Sequence, residues 1–309
     1  MELRVCITKY CNYKCTYCSK DGEGIYSEFS NLTCEEILER ITKLKEMGID
    51  SVRLTGGEPF LREDILEILE GIYNKCNIRN ISMVTNGSII DKNILISIYE
   101  KRFLKYISVS LDTLDDKEYY NITSGGDLSS VLENIDLLKK IGMNVRINMV
   151  VTKENARQIL KIWEYCKQKE LDLKLLDIYN DKNKFYDLSK ITDEMKYRGF
   201  KYEEEYISSY LGTPMEVFKV GKSKMIIKNG KKGSTYSNEI CRKCKKYPCM
   251  LGMTGPIMTH DGLIKCCNFA REWGIYKIKE LDDIKRVYDN IFRRGAQNEE
   301  NPRKVCERI

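Results

Sequence analysis

Through residue 178 this chain alternates short β-like runs with amphipathic helical periods, and that alternation limits the folds open to it. Strands are expected at Leu3–Thr8, Ser51–Thr55, Ile81–Thr85, Ile107–Leu111, Asn144–Val150 and Leu171–Ile178. Helical patterns lie between them at Cys34–Met47, Glu63–Cys76, Lys92–Arg102, Ser129–Ile141 and Glu154–Lys169. The first opens on Thr33 with Glu36 three residues later, a capping-box pattern, and stops before Gly48. Strand–helix alternation argues for parallel pairing, and six such units fall two short of a closed barrel. Parallel barrels gather their chemistry at the C-terminal ends of their strands. The distinctive residues of this chain lie there. A cysteine loop follows the first strand, Gly56-Gly57-Glu58-Pro59 the second and Thr85-Asn86-Gly87 the third, while Ser110 to Asp112 closes the fourth.

Cys11, Cys15 and Cys18 make a C-x3-C-x2-C triplet on that first loop. Three thiolates this close can bind three irons of a 4Fe–4S cubane, leaving the fourth iron open to an exchangeable ligand. Structural zinc sites pair their ligands as C-x2-C with a second pair elsewhere. A zinc site, or a set of buried thiols, therefore fits the triplet poorly. The run Cys11-Asn12-Tyr13-Lys14-Cys15-Thr16-Tyr17-Cys18 resembles the cluster loop of radical S-adenosylmethionine (SAM) enzymes. The resemblance implies an α/β fold, the incomplete (β/α)6 TIM-like barrel of that family. It also implies a SAM-binding 4Fe–4S cluster on these cysteines, and reductive cleavage of SAM to a 5′-deoxyadenosyl radical that abstracts hydrogen from substrate. Gly56-Gly57-Glu58-Pro59 resembles the family's stretch that hydrogen-bonds the methionine amino group; taken alone, it could be an ordinary βα turn. Ser110 matches the ribose-binding serine, and Tyr17 the aromatic residue whose backbone contacts adenine. Asn148, on the fifth strand, could reach the ribose or fill the barrel interior.

Within the superfamily, Leu3-Arg4, Ile7-Thr8, Cys15-Thr16-Tyr17-Cys18, Asp21-Gly22, Val52 to Pro59 and Leu114-Asp115 resemble the GTP 3′,8-cyclase family in order and spacing. The likeness runs from about Leu3 to Val151 and then thins. It implies that Arg4 and Arg53 contact a triphosphate, and Arg146 stands where that family has a lysine. Guanidinium groups suit phosphate oxygens, so the three make a candidate anion clamp; barrel-mouth ion pairs are the alternative. The chain departs from the family at four places. Val84 replaces a threonine, Tyr179 a SAM-contacting methionine, and Met250 to Pro256 contains no arginine. The chain ends Cys306-Glu307-Arg308-Ile309 rather than Gly-Gly. The expected substrate is a phosphorylated nucleoside such as GTP, cyclised or rearranged. The alternative is a maturase that cross-links or epimerises a ribosomally made peptide, although a chain opening on a barrel strand leaves no room for an N-terminal leader-binding domain. A non-catalytic iron–sulfur electron carrier is the third reading, and it leaves Gly56–Pro59 and Ser110 unexplained.

Beyond Asn180 the pattern weakens. Residues 1–180 read as the radical SAM core, 181–236 as linker and hairpin, and 237–309 as a small cysteine-rich domain. The hairpin is expected from Lys224–Lys228 and Ser234–Ser237 about Asn229-Gly230, and the basic run Lys222 to Lys232 reads as its solvated surface rather than a polyanion site. Cys241, Cys244, Cys249, Cys266 and Cys267 then crowd into 27 residues. Cys249, twelve residues, Gly262, four residues and Cys267 resemble the auxiliary-cluster pattern of the Twitch domain. That implies a second 4Fe–4S cluster, with Cys241, Cys244, Cys249 and Cys267 as ligands and Cys266 competing with Cys267. A zinc knuckle is the alternative. Asp261-Gly262 would turn the chain back toward the cluster, with His260 a turn residue. If four cysteines bind, no iron is left for substrate, and the cluster would serve electron transfer or structure. A charged helix is expected at Ile278–Arg293.

The formal charge of +6 arises from 52 basic and 46 acidic residues spread along the chain, which does not argue for nucleic acid. Glu2 and Arg4 interrupt any signal-peptide run, and no stretch approaches the apolar length of a membrane span. Thirteen cysteines then point to metal and redox chemistry in the cytoplasm rather than to disulfides. The expected partners are a small-molecule or short-peptide substrate and a flavodoxin- or ferredoxin-type electron donor.

Overall fold

The structure, a computed structural model, describes residues 1–18, 30–178, 181–205, 211, 213–232, 234–237, 239–247, 249–270 and 274–297. Asp21-Gly22, Tyr179 and Cys306 to Ile309 lie outside the described residues. Along the chain the elements are β1 (Glu2–Cys6), α1 (Cys34–Leu44), β2 (Ser51–Thr55), α2 (Ile65–Glu70), β3 (Asn80–Thr85), α3 (Lys92–Glu100), β4 (Tyr106–Ser110), α4 (Asp116–Thr123), α5 (Leu128–Ile141) and β5 (Val145–Val151). They continue with α6 (Ile159–Gln168), β6 (Asp172–Asp177), α7 (Ser189–Tyr197), β7 (Lys201–Glu205), β8 (Met215–Val220), β9 (Ser223–Lys228), β10 (Ile257–Met258), β11 (Ile264–Lys265), β12 (Ile275–Tyr276) and α8 (Leu281–Gln297). The chain forms two compact units, Met1–Asn148 with Ile257–Leu263, and Met149–Pro256 with the remainder.

In the first unit β10, β1, β2, β3, β4 and the start of β5 pair in parallel. This is the expected α/β arrangement, consistent with a partial barrel. Leu3, Val5, Leu54, Ile81, Met83, Ile107, Val109 and Ile147 are fully buried, and Val109 and Val131 of α5 both pack against Gly87, where a Cβ would lie 2.7 Å and 3.3 Å from their methyls. Each such side chain contributes about 1.5–3 kcal/mol when buried. Successive strand residues face opposite ways, so the alternate residues line the other face. There the register sets Arg4 beside Arg53, Arg53 beside Ser82, and Ser82 beside Tyr106. One step along, Ser108 lies beside Arg146, and at the strand ends Ser110 lies beside Asn148. Thr33 and Glu36 form the anticipated capping box on α1.

Three local expectations change. The helix expected from Glu154 begins only at Ile159, because the Asn155 side chain accepts from Thr152 N at 2.8 Å and donates to the Val150 carbonyl at 2.9 Å. Such side-chain bonds compete with helical ones. Helix α4 was not anticipated. Most visibly, the hairpin lies one strand earlier than expected. In the second unit β9 pairs antiparallel with β8, closed by Gly221-Lys222, and parallel with β6, while β8 pairs antiparallel with β7. Gly221 takes φ +59°, which a two-residue turn of this kind requires. Asn229-Gly230 instead leaves the sheet, with Asn229 Nδ2 donating to Ser189 Oγ at 2.8 Å and Gly230 N to Asp177 Oδ2 at 2.8 Å. Ser234–Ser237 is not a strand. Nor is the basic run solvated throughout: β9 lies between two strands, and Lys228 is buried.

The described cysteines are free thiols. Among the described residues no helix is long and apolar enough to cross a membrane. Gly221→Val, which forces a branched side chain into left-handed backbone, should lower stability by about 1–2 kcal/mol. The check is the urea midpoint at unchanged m-value; a midpoint equal to wild type would contradict this turn.

Candidate active site

The loop bearing Cys11, Cys15 and Cys18 is held against the ends of β2 and β3. Gly57 N donates to the Thr8 carbonyl and Glu58 N to the Tyr10 carbonyl, both at 2.7 Å. A Cβ on Gly56 would lie 2.5 Å from Thr8 O, and one on Gly57 would lie 1.9 Å from Tyr10 O. The two glycines are therefore needed for one backbone to reach another. Glu58 turns inward and is fully buried. Its carboxylate accepts from Phe60 N at 3.1 Å, Thr85 Oγ1 at 2.7 Å and Asn86 N at 2.7 Å. Burial pushes this carboxyl up to about 7, against the pull of those three donors. Asn86 continues the chain of contacts, donating to Asn12 Oδ1 at 2.9 Å and facing Cys11 Sγ at 3.8 Å.

The other side of the loop rests on α4. Lys14 N donates to the Thr123 carbonyl at 3.1 Å and Thr16 N to the Ile122 carbonyl at 2.9 Å. The Tyr13 ring meets Tyr119 edge-on at 6.3 Å. Asp115 caps the helix by accepting from Glu118 N at 2.8 Å. These supports escaped the sequence reading; the available signal was Asp115 followed three residues later by Glu118. Tyr17 is anchored by its hydroxyl, which donates to the buried Asp112; burial, with the Asp112 charge, holds that phenol well above its ordinary value.

Cys11 and Cys18 are exposed and Cys15 is half-buried. Tyr13 N donates to Cys11 Sγ at 3.4 Å. Burial raises Cys15 to about 12, with the Asp112, Cys18 and Cys11 charges adding to it. Cys11 and Cys15 stay protonated until a cation stabilises the thiolates, so metal loading there releases protons. Such a constellation could hold a cluster by three sulfurs. Ser110 and Asn148 lie side by side at neighbouring strand ends, and Asn148 Oδ1 is buried with no hydrogen-bond partner among the described residues.

Arg4, Arg53 and Arg146 share the polar face of the sheet. Arg53 Nη2 pairs with Glu2 Oε2 at 2.8 Å and reaches the Tyr106 hydroxyl at 3.2 Å. Arg146 lies over the Tyr106 ring, 4.5 Å from its centroid. Burial would raise the Tyr106 phenol, but Arg53, the Ser82 hydrogen bond and Arg146 outweigh it and bring the phenol below its ordinary value. An ion pair and a stacked guanidinium thus meet at one phenol.

In the second unit Cys241, Cys244, Cys249 and Cys267 line one cavity of about 240 Å³. Backbone N–H groups point at the sulfurs: Ser237 N to Cys241 at 3.3 Å and Gly252 N to Cys249 at 3.3 Å. Phe269 and Ala270 donate in the same way to Cys267. Donors of this kind suit anionic thiolates. Cys266 is absent from the lining; its thiol is fully buried against the Tyr288 hydroxyl. Among the described residues no three His, Cys, Asp or Glu side chains converge on a point suited to a single metal ion. Four sulfurs round one cavity are a donor set that an iron–sulfur cluster can use. His260 is buried in the turn closed by Thr259 N to Leu263 O at 2.8 Å and Gly262 N to Thr259 O at 3.0 Å.

A family model described as the radical SAM superfamily matches residues 5–166. A GTP 3′,8-cyclase of Synechocystis sp. is 36% identical over 178 residues, 57% of this chain and 54% of that protein. The chain thus spans about half the length of this relative. A GTP 3′,8-cyclase of Thermodesulfovibrio yellowstonii is 32% identical over 314 residues, 96% of this chain and 87% of that protein. Among solved structures, native anSMEcpe with bound AdoMet and Cp18Cys peptide superposes with a TM-score of 0.62. It is 21% identical, over 94% of this chain and 81% of that one, a likeness of fold.

Glu58→Gln leaves one acceptor and turns a donor toward existing N–H or O–H groups, so stability should fall by about 1–3 kcal/mol. Wild-type stability should itself depend on pH. The folded carboxyl titrates at about 7 against an ordinary 4.5. The folded state therefore holds a proton that the unfolded chain has released, and Glu58's contribution is full below 4.5 and lost as pH rises through about 7. Urea titrations across that window should show the decline in wild type and a flatter profile in the variant; equal slopes would contradict this assignment.

Proposed function

This chain belongs to the radical SAM superfamily, and on that premise we propose that it is a cyclase-like enzyme acting on a phosphorylated nucleoside such as GTP. In this reading residues 1–180 carry the SAM chemistry, 181–236 connect, and 237–309 carry a second cluster. Cys11, Cys15 and Cys18 hold the SAM-binding 4Fe–4S cluster, and Cys241, Cys244, Cys249 and Cys267 hold the auxiliary one. When bound, cluster and SAM supply a 5′-deoxyadenosyl radical that takes hydrogen from the substrate. The backbone at Gly56, Gly57 and Tyr17 receives SAM, and Ser110 and Asn148 take its ribose. Asn148 Oδ1, a buried acceptor with no partner among the described residues, supports that role. Glu58 acts by holding Gly57, Thr85 and Asn86 in place rather than by touching SAM, since its oxygens are occupied.

The observation that supports the nucleotide reading is the convergence of Arg53 and Arg146 on Tyr106 on the polar face of the sheet, with Arg4 beside Arg53 in the strand register. Guanidinium forks grip phosphate oxygens in pairs. Arg53 would exchange Glu2 for phosphate, which lowers the penalty of burying either charge alone. The curated relatives named GTP 3′,8-cyclase support the same substrate class. With four cysteines round the auxiliary cavity no iron would be left to hold the base, so the arginines carry more of the recognition. A second reading, modification of a peptide, draws on the fold shared with anSMEcpe, which was captured with a peptide. A flavodoxin or ferredoxin is the expected reductant.

Anaerobically reconstituted protein given dithionite and SAM should release 5′-deoxyadenosine, and Cys15→Ala should abolish that release; product from the variant equal to wild type would sink the cluster assignment. Arg53→Ala should weaken GTP binding roughly tenfold to a hundredfold, the worth of one or two charged hydrogen bonds, while uncoupled SAM cleavage persists. Calorimetric titration with GTP measures it. A wild-type protein that binds no purine nucleotide would leave the peptide reading in its place.

A further inference from the structure

We propose that the basic rim of the cysteine-lined cavity in the second unit is the docking surface for an acidic protein electron carrier. The proposal rests on the reading that those four cysteines hold the auxiliary cluster. Arg242, Lys243, Lys245 and Lys246 put four cations into five consecutive positions, with Cys244 at the centre, and all four are exposed. Over the whole chain 52 basic residues are nearly balanced by 46 acidic ones, so this is a local concentration of charge. Lys243, Lys245 and Lys246 border the same cavity as the cysteines. Glu239, the acidic side chain beside Cys241, is drawn off to Arg286 at 3.4 Å.

At the mouth Tyr247 is 43% exposed, braced edge-on against Tyr236 at 5.1 Å, and Lys246 Nζ stands 4.2 Å from the Phe269 ring centroid. An exposed aromatic ringed by cations has the make-up of a protein interface, an apolar centre within a charged rim. A small anionic substrate would be held by buried cations inside a cavity. Exposed ones instead act at a distance, steering an oppositely charged macromolecule onto the face. Electron-carrier complexes are of this kind, small in area and guided by charge. Docking here would set the carrier against the wall built by the four thiols.

The test uses the anaerobically reconstituted holoprotein, with an acidic flavodoxin and an acidic ferredoxin as probes, and measures affinity at low and high potassium chloride. Wild type should bind at least one carrier, about tenfold more weakly at high salt. The variant K243E/K245E/K246E should bind it at least about tenfold more weakly at low salt, with iron and sulfide content unchanged. If charge reversal lowers the iron content, K243Q/K245Q/K246Q carries the same comparison. Binding by the variants equal to wild type, salt-independent binding, or no binding of either carrier by wild type overturns the proposal. So does an acidic peptide that binds as tightly as the carriers, which would assign the face to a peptide. The underlying cluster reading fails separately, if Cys244→Ala with Cys249→Ala loses no iron relative to wild type.

Discussion

The contact on which the first unit depends is between two stretches of backbone. Gly56-Gly57 and the Thr8–Tyr10 segment approach so closely that a single Cβ would be driven into a carbonyl oxygen. Two short N–H···O bonds at 2.7 Å bind them. With no side chain between them, the loop that presents the cysteines is located by main-chain geometry, the least adjustable part of a protein. Glu58 then joins this pair to the end of β3 through two donors, Thr85 Oγ1 and Asn86 N, and Asn86 returns the connection to the cysteine loop. Three strand ends thus behave as one support.

The electrostatics of the sites differ in a way that suits different ligands. Cys11, Cys15, Cys241 and Cys267 sit where burial disfavours charge, so each needs a cation or N–H donors before it can ionise. The arginine face is the reverse. Arg53 lies beside the Glu2 carboxylate and the Tyr106 phenol, with Arg146 over the same ring, and positive charge there has no protonation state to shed. In the function proposed above, the first environment takes metal and the second takes phosphate.

In the second unit two adjacent cysteines, in the bend after β11, turn to different surroundings. Cys266 N donates to the Gly274 carbonyl at 2.9 Å, next to the β11–β12 pair, and its thiol turns to Tyr288. Cys267 lines the cavity. The same stretch gains thiolate-directed N–H groups from the turn that follows, at Phe269 and Ala270.

Much of this was legible in the residues alone. Apolar periodicity located the strands and helices through residue 178, because burying one face forces a repeat that can be read off. Spacing alone grouped Cys11, Cys15 and Cys18, since a loop that short cannot separate them. Helix α4 was not legible: Asp116–Thr123 is short and polar, and its worth lies in two carbonyls offered to a distant loop. The Asn229-Gly230 turn signal was overridden by Ser189 and Asp177, partners far away in sequence. Local order and the chemical character of each site were written into the chain, because they depend on neighbours and on residue type. Which cysteine of a pair, which glycine of two turns and which arginines meet at one tyrosine were decided only by folding, because those are contacts between segments that sequence distance does not encode.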